Sequence, residues 1–243
     1  MRHALALLLF VAVAIPCVRA DGVDDCTDSY EPELVIKGCS AVLAGDGGDT
    51  KLRAMAHNNR GNANAMLGRA DDAVADYSKA LELKPGYANA LHNRGLLRYH
   101  AAEHVQALED FDAAIAAEPQ FVVARHNRGA ALIALGRLHE AVQAFSTALA
   151  LDPQLGVAYH NRGMTKMKLG LTEEAILDLT ESLRINSSNL NSRVARGELL
   201  ASVSRLDDAR ADFEAVLRQD PMNDKARKFL EHLVTATPMP KRR

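Results

Sequence analysis

The chain has 243 residues, 48% of them hydrophobic but only 5% aromatic, with no Trp and a formal net charge of −2. So small a charge lacks the strongly basic face that nucleic acid requires, and nucleic acid is not an expected partner. Ala and Leu dominate, both good helix formers, while the β-branched and aromatic residues of a sandwich or barrel are scarce.

The first twenty residues are of another kind. Met1-Arg2-His3 is a short basic start, 4–15 is an unbroken apolar run, and Val18 and Ala20 put small residues where a signal peptidase reads. Residues 1–20 are therefore expected to be a secretory signal. The run is shorter than the roughly 20 residues that span a bilayer, so no membrane insertion is expected after cleavage. Export would place the chain in the periplasm of a Gram-negative bacterium. It also changes how the cysteines read. Cys17 leaves with the signal, and Cys26 and Cys39 remain as an even pair in an oxidising compartment, which predicts a disulfide. Two thiols without a nearby His make a poor metal set. The acidic stretch 21–33 lacks the spacing of a calcium loop and reads as a solvated face.

From residue 54 the sequence repeats every 34 residues. Gly61, Gly95, Gly129, Gly163 and Gly197 share this period, as do Ala73, Ala107, Ala141, Ala175 and Ala209. Tyr77, Phe111, Phe145, Leu179 and Phe213 form another series, and Pro85, Pro119, Pro153 and Pro221 a fourth, with Ser187 in the missing place. Five repeats follow: 54–87, 88–121, 122–155, 156–189 and 190–223. In residues 122–155 an Ala- and Leu-rich run ends at Gly136, which suits a left-handed helix stop. Ala102 and Ser204 stand in that place in the second and fifth repeats. Ala141, Phe145, Ala148 and Leu149 then lie on one face of a second helix. Asp152-Pro153 ends it, because the residue before Pro is pushed out of the helical region. Each repeat is thus helix–turn–helix. Gly129 and Ala141 are small where the helices should cross. A single hairpin cannot bury both faces, and stacked neighbours can.

This pattern resembles the tetratricopeptide repeat, matched here by Gly129, Ala141, Phe145, Ala148 and Pro153 and by the same offsets in the other repeats. The usual Trp near the repeat start is absent. His57, Leu91, Arg125, Tyr159 and Arg193 hold its places, which predicts looser packing of the first helix. The resemblance implies an all-α, right-handed superhelical solenoid with capping segments. Residues 21–53 read as an N-terminal cap, in which 31–44 is a lone second helix. Residues 224–234 read as a capping helix and 235–243 as a loose tail. Caps at both ends favour a monomer.

The resemblance also implies a concave groove lined by the first helices. Asn59, Asn93, Asn127 and Asn161 would point into it, with Asn58, His92, His126 and His160 beside them. A primary amide has two donors and an acceptor, so it pairs with a peptide backbone without reading side chains. The alternative is that each Asn bonds a neighbouring repeat. The fifth repeat breaks the series with Val194-Ala195. Asn62, Tyr99, His100, Met164, Met167 and Lys168 lie one turn on and are further groove candidates.

Arg60, Arg94, Arg162 and Arg196 each have an Asp sixteen residues later: Asp76, Asp110, Asp178 and Asp212. These are expected to be structural bidentate pairs between packed helices. Ala144 breaks the Asp series, leaving Arg128 freer to meet a ligand. Histidines on stacked repeats fall on the order of 10 Å apart, too far for one metal, so no metal is expected. No Walker loop, G-x-S-x-G or H-E-x-x-H motif occurs, and neither catalysis nor a cofactor is expected. The expected function is that of an exported scaffold binding an extended peptide or partner segment in its groove. The alternative is a structural subunit of an envelope or secretion assembly that docks through its convex face or ends.

Overall fold

The computed structural model describes residues 23–27, 29–45 and 49–236. The expected signal peptide and residues 237–243 of the expected tail lie outside these. The chain forms two compact units, Met1–Pro85 and Gly86–Arg243.

In the first unit, a short helical segment at 23–27 precedes α1 (Pro32–Ala44), α2 (Thr50–Met66) and α3 (Ala70–Leu83). Pro32 sits in the first turn of α1, where its missing N–H costs nothing. α2 starts at Thr50, inside the segment read as cap, because the Asp49 carboxylate caps it by accepting from Lys51 N at 2.9 Å. α1 packs on α2 and α2 on α3. A disulfide joins Cys26 to Cys39, whose Cα atoms are 4.6 Å apart, and both residues are buried.

The second unit continues the pairing: α4 (Ala88–His100), α5 (His104–Ala117), α6 (Val122–Ala134), α7 (Leu138–Leu151), α8 (Gly156–Lys168), α9 (Thr172–Ile185), α10 (Leu190–Ser202) and α11 (Leu206–Gln219). The capping helix α12 (Asp224–Ala236) runs two residues beyond the 224–234 read from the sequence. Each helix packs on the next. First helices of neighbouring repeats also meet, α4 with α6, α6 with α8 and α8 with α10. Among the described residues the second helices do not meet to that extent, so the first helices form the crowded inner face.

Local chemistry sets these boundaries. The turn inside each hairpin needs a left-handed residue, supplied by Gly68, Gly136 and Gly170 at φ of +73° to +74°. Ala102 and Ser204 adopt φ of 62° and 63° in the other two repeats. Each second helix of this unit ends on an extended residue, Glu118, Asp152, Asn186 or Asp220. Pro enforces that at three places. Where Ser187 replaces it, the Asn186 side chain accepts from Ser188 N at 3.1 Å and from Ser188 Oγ at 2.7 Å.

The helices cross closely at the periodic Gly. A Cβ on Gly129 would lie 2.6 Å from the fully buried ring of Phe145. At two of the vacant Trp places the side chain makes a polar contact instead. Arg125 and Arg193 reach back to loop carbonyls, Arg125 Nη2 to Pro119 O at 2.6 Å and Arg193 Nη2 to Ser187 O at 2.7 Å. They tie the first helix to the preceding turn.

Candidate functional site

Two polar networks run through the first helices. In the first, Arg60, Arg94, Arg162 and Arg196 each donate to the Asp on their own second helix, through two guanidinium nitrogens. The closest contacts are 2.7 Å for Arg60–Asp76, Arg94–Asp110 and Arg196–Asp212, and 2.6 Å for Arg162–Asp178. All four carboxylates are buried. Each takes a second cationic or potentially cationic partner that the spacing did not reveal: His57 at 3.0 Å, Arg98 at 2.8 Å, Lys166 at 3.0 Å and Arg193 at 3.5 Å. The remaining arm of the Arg reaches the previous second helix. Arg162 Nη1 donates to Ser146 Oγ at 2.9 Å and Arg196 Nη1 to Thr180 Oγ1 at 3.1 Å. Arg60 Nη1 does the same to Ser40 Oγ on α1 at 3.0 Å. One Arg thus clips three helices. Arg128 was expected to be free for a ligand. It pairs instead with Asp112 on the preceding second helix, because Ala144 offers it no carboxylate.

In the second network the ladder amides bond within the chain, the alternative to a peptide ladder. Asn127 Nδ2 donates to His92 Nε2 at 2.9 Å, and Asn161 Nδ2 to His126 Nε2 at 2.9 Å. An amide nitrogen only donates, so both Nε2 atoms accept and both rings carry hydrogen on Nδ1. Those Nδ1 atoms lie 3.1 Å from Asn93 Oδ1 and 3.2 Å from Asn127 Oδ1. The order Asn161, His126, Asn127, His92, Asn93 is therefore one relay. His92 is buried, its ring 5.0 Å from that of Phe121 and 5.8 Å from that of Phe111. The His126 ring packs 5.5 Å from Phe145. Burial pushes the pKa of His92, His126 and His160 below the usual 6.5, and the Asn contacts of the first two only partly oppose this. In the first unit Asn59 Nδ2 donates to the Cys26 carbonyl at 3.0 Å, and Asn58 Nδ2 to Asn59 Oδ1 at 3.1 Å. These amides bond within the chain because each finds a pre-placed acceptor.

Other candidates separate. Asn62 Oδ1 accepts from Tyr77 OH at 2.8 Å. Tyr99 packs against the core around Phe111 and Phe145, with His100 and His104 beside its ring. Met167 packs against the C-terminal core, and Lys168 and His100 are exposed. Met164 packs against the same core, and both it and His160 border open space. They line a cleft of about 480 Å³ on the first-helix face, with Val194, Ala195 and Glu198 from α10 and Lys225 from α12. Lys225 pairs with Glu198 at 2.8 Å. His160 Nδ1 lies 2.7 Å from Ser192 Oγ, and Ser192 bonds Ser182 at 3.0 Å. Ser182 reads from the sequence only as a small departure from the repeat pattern, and Ser192 carries no expectation. The signal was present: Ser192 stands where the other four repeats have Ala, and Ser182 where three have Ala and the fifth has Val216.

Paired helices stacked through small crossing residues define an α-helical solenoid. Residues 54–87, 122–155 and 157–189 each match the tetratricopeptide repeat. The chain is a tetratricopeptide-repeat protein, a protein–protein interaction scaffold and not an enzyme, and its partners are proteins or peptides. No curated protein matches the sequence. Among solved structures, it resembles YrrB, a TPR protein with an unusual peptide-binding site, at 18% identity and a TM-score of 0.70, over 81% of this chain and 99% of that one. MamA of Desulfovibrio magneticus RS-1 is similar at 16% identity and 0.65, over 73% and 98%. PilF of Pseudomonas aeruginosa is similar at 20% and 0.62, over 77% and 95%. At these identities the likeness is one of fold.

Proposed function

We propose that this protein is exported and holds an extended segment of a partner protein against the first-helix face of its second unit. The cleft beside His160 and Met164 is the observation that carries this reading. It opens on the face where first helices meet, and on the same helices Val123 and Val157 are each 49% exposed in the first turns of α6 and α8. The peptide-binding site of YrrB, on a similar fold, supports it. The Cys26–Cys39 disulfide supports export, since such bonds persist in oxidising compartments. In a Gram-negative cell the compartment is the periplasm.

Replacing the ladder amides is a poor test, because Asn127→Ala would also strip His92 of its donor. A photo-crosslinking residue placed at Val157, and separately at the 67% exposed Leu177 on the second helix α9, is cleaner. A partner crosslinked in cells from 157 and not from 177 is the expected result. Crosslinks from 177 alone would move docking to the convex side. Cell fractionation, with the intact mass of the chain, checks export and cleavage after Ala20.

A further inference from the structure

The period assigns the cleft a missing residue. Asn93, Asn127 and Asn161 are followed at the same interval by Ala195, and His92, His126 and His160 by Val194. Two imidazoles of the relay accept a carboxamide from the next repeat. His160 receives none, because Ala195 has no amide to give. Ala195, itself almost fully buried, lines the cleft together with His160.

The surroundings hold His160 in place without that amide. Its Nδ1 is bonded to Ser192, which is fully buried and bonded in turn to buried Ser182. The other repeats of this unit have buried Ala90, Ala124 and Ala158 in place of Ser192, and Ala114 and Ala148 in place of Ser182. At these two periodic places a hydroxyl thus stands only beside His160, at Ser182 and Ser192, with Val216 at the Ser182 place of the fifth repeat. They engage one ring nitrogen, and the other, Nε2, has no partner within the described residues.

We propose that this cleft is the vacant step of the relay and takes a carboxamide, an Asn or Gln side chain carried by the partner's extended segment. The proposal rests on the docking reading above and deepens it. A carboxamide both donates and accepts, so it serves His160 in either tautomer. A carboxylate would meet Glu198 and Asp224 in the same cleft, with Lys225 already drawn to Glu198. The volume of about 480 Å³ also leaves room for the backbone and for an apolar neighbour against Met164 and Val194.

The test is selection of a phage-displayed library of random heptapeptides on the mature chain. The enriched sequences are then made as synthetic peptides and titrated against variants. Asn or Gln beside an apolar residue is expected to be enriched. Affinity is expected to fall about tenfold for Ala195→Asn, which fills the step from within, and for His160→Phe, which keeps the ring and removes its nitrogens. Changing the peptide's own Asn or Gln to Leu is expected to lose as much. Ala195→Asn should unfold at or above the wild-type temperature; if it does not fold, His160→Phe decides. Enriched peptides without Asn or Gln, or binding unchanged in both variants, overturn the proposal. Binders lost in Val123→Glu/Val157→Glu yet kept in Ala195→Asn would leave docking on this face standing and remove the cleft. Binders indifferent to all of these, or no binders at all, remove both.

Discussion

At the scale of single residues, the chain repeats one backbone demand with unequal chemistry. Five hairpin turns need a left-handed residue, and two meet that need with Ala102 and Ser204. A residue with a Cβ pays roughly 1–2 kcal/mol for this conformation, while Gly brings about 0.5–1 kcal/mol of extra backbone entropy to lose. The difference favours Gly. Ala102→Gly is therefore expected to stabilise the fold by about 0.5–1 kcal/mol, read from the midpoint of denaturant unfolding. Gly136→Ala should move it the other way. The Gly and aromatic series could be read from the sequence because each crossing requires a small residue facing a large one. The substituted turns were visible too, as breaks in a period.

At the scale of helices, position alone separates strong contacts from weak ones. Asp178 is buried between Arg162 and Lys166, so Asp178→Asn leaves Arg162 without its counter-charge and Lys166 with Glu174 alone. That should cost about 2–3 kcal/mol, below the full buried-pair penalty because the Arg is partly solvated. Arg128→Ala should cost under about 1 kcal/mol, since half of the Asp112 side chain is exposed. Thermal unfolding of the two variants gives the ranking. The Arg–Asp spacing was legible because it lies within one repeat. The histidine relay was not, because Asn127 bonds a residue of the previous repeat and the choice between partner and ligand is one of orientation. The relay needs neutral rings, and burial lowers the pKa of His92, His126 and His160. Between the folded pKa and 6.5 the unfolded chain binds protons that the folded chain refuses, so stability rises with pH through that window. It is lost as pH falls below about 6.5. Unfolding midpoints should drop from pH 7 to pH 5, and His126→Gln, which still accepts from Asn161 without titrating, should show a smaller drop.

At the scale of the whole molecule, a translated unit makes the fold readable, because one hairpin's pattern is stated five times. What a period does not announce is where it starts, and the N-terminal unit shows how that problem is met. Asn59 has no preceding repeat to supply an imidazole, so the chain supplies the carbonyl of Cys26 and fixes it covalently to α1 through Cys39. The disulfide closes a separation of 13 residues, worth on the order of 3 kcal/mol in the chain-entropy model. In a solenoid each repeat touches only its neighbours, so such a loss stays local. Hydrogen exchange with and without reductant tests this directly. Reduction should release the 23–31 segment from Asn59 and speed amide exchange in α1 and the adjoining face of α2, leaving α8 to α11 unchanged. Faster exchange throughout the chain would make the protein one cooperative body rather than a sum of neighbours. Unchanged exchange in α1 would mean that packing alone holds the end, and that the disulfide contributes nothing to starting the stack.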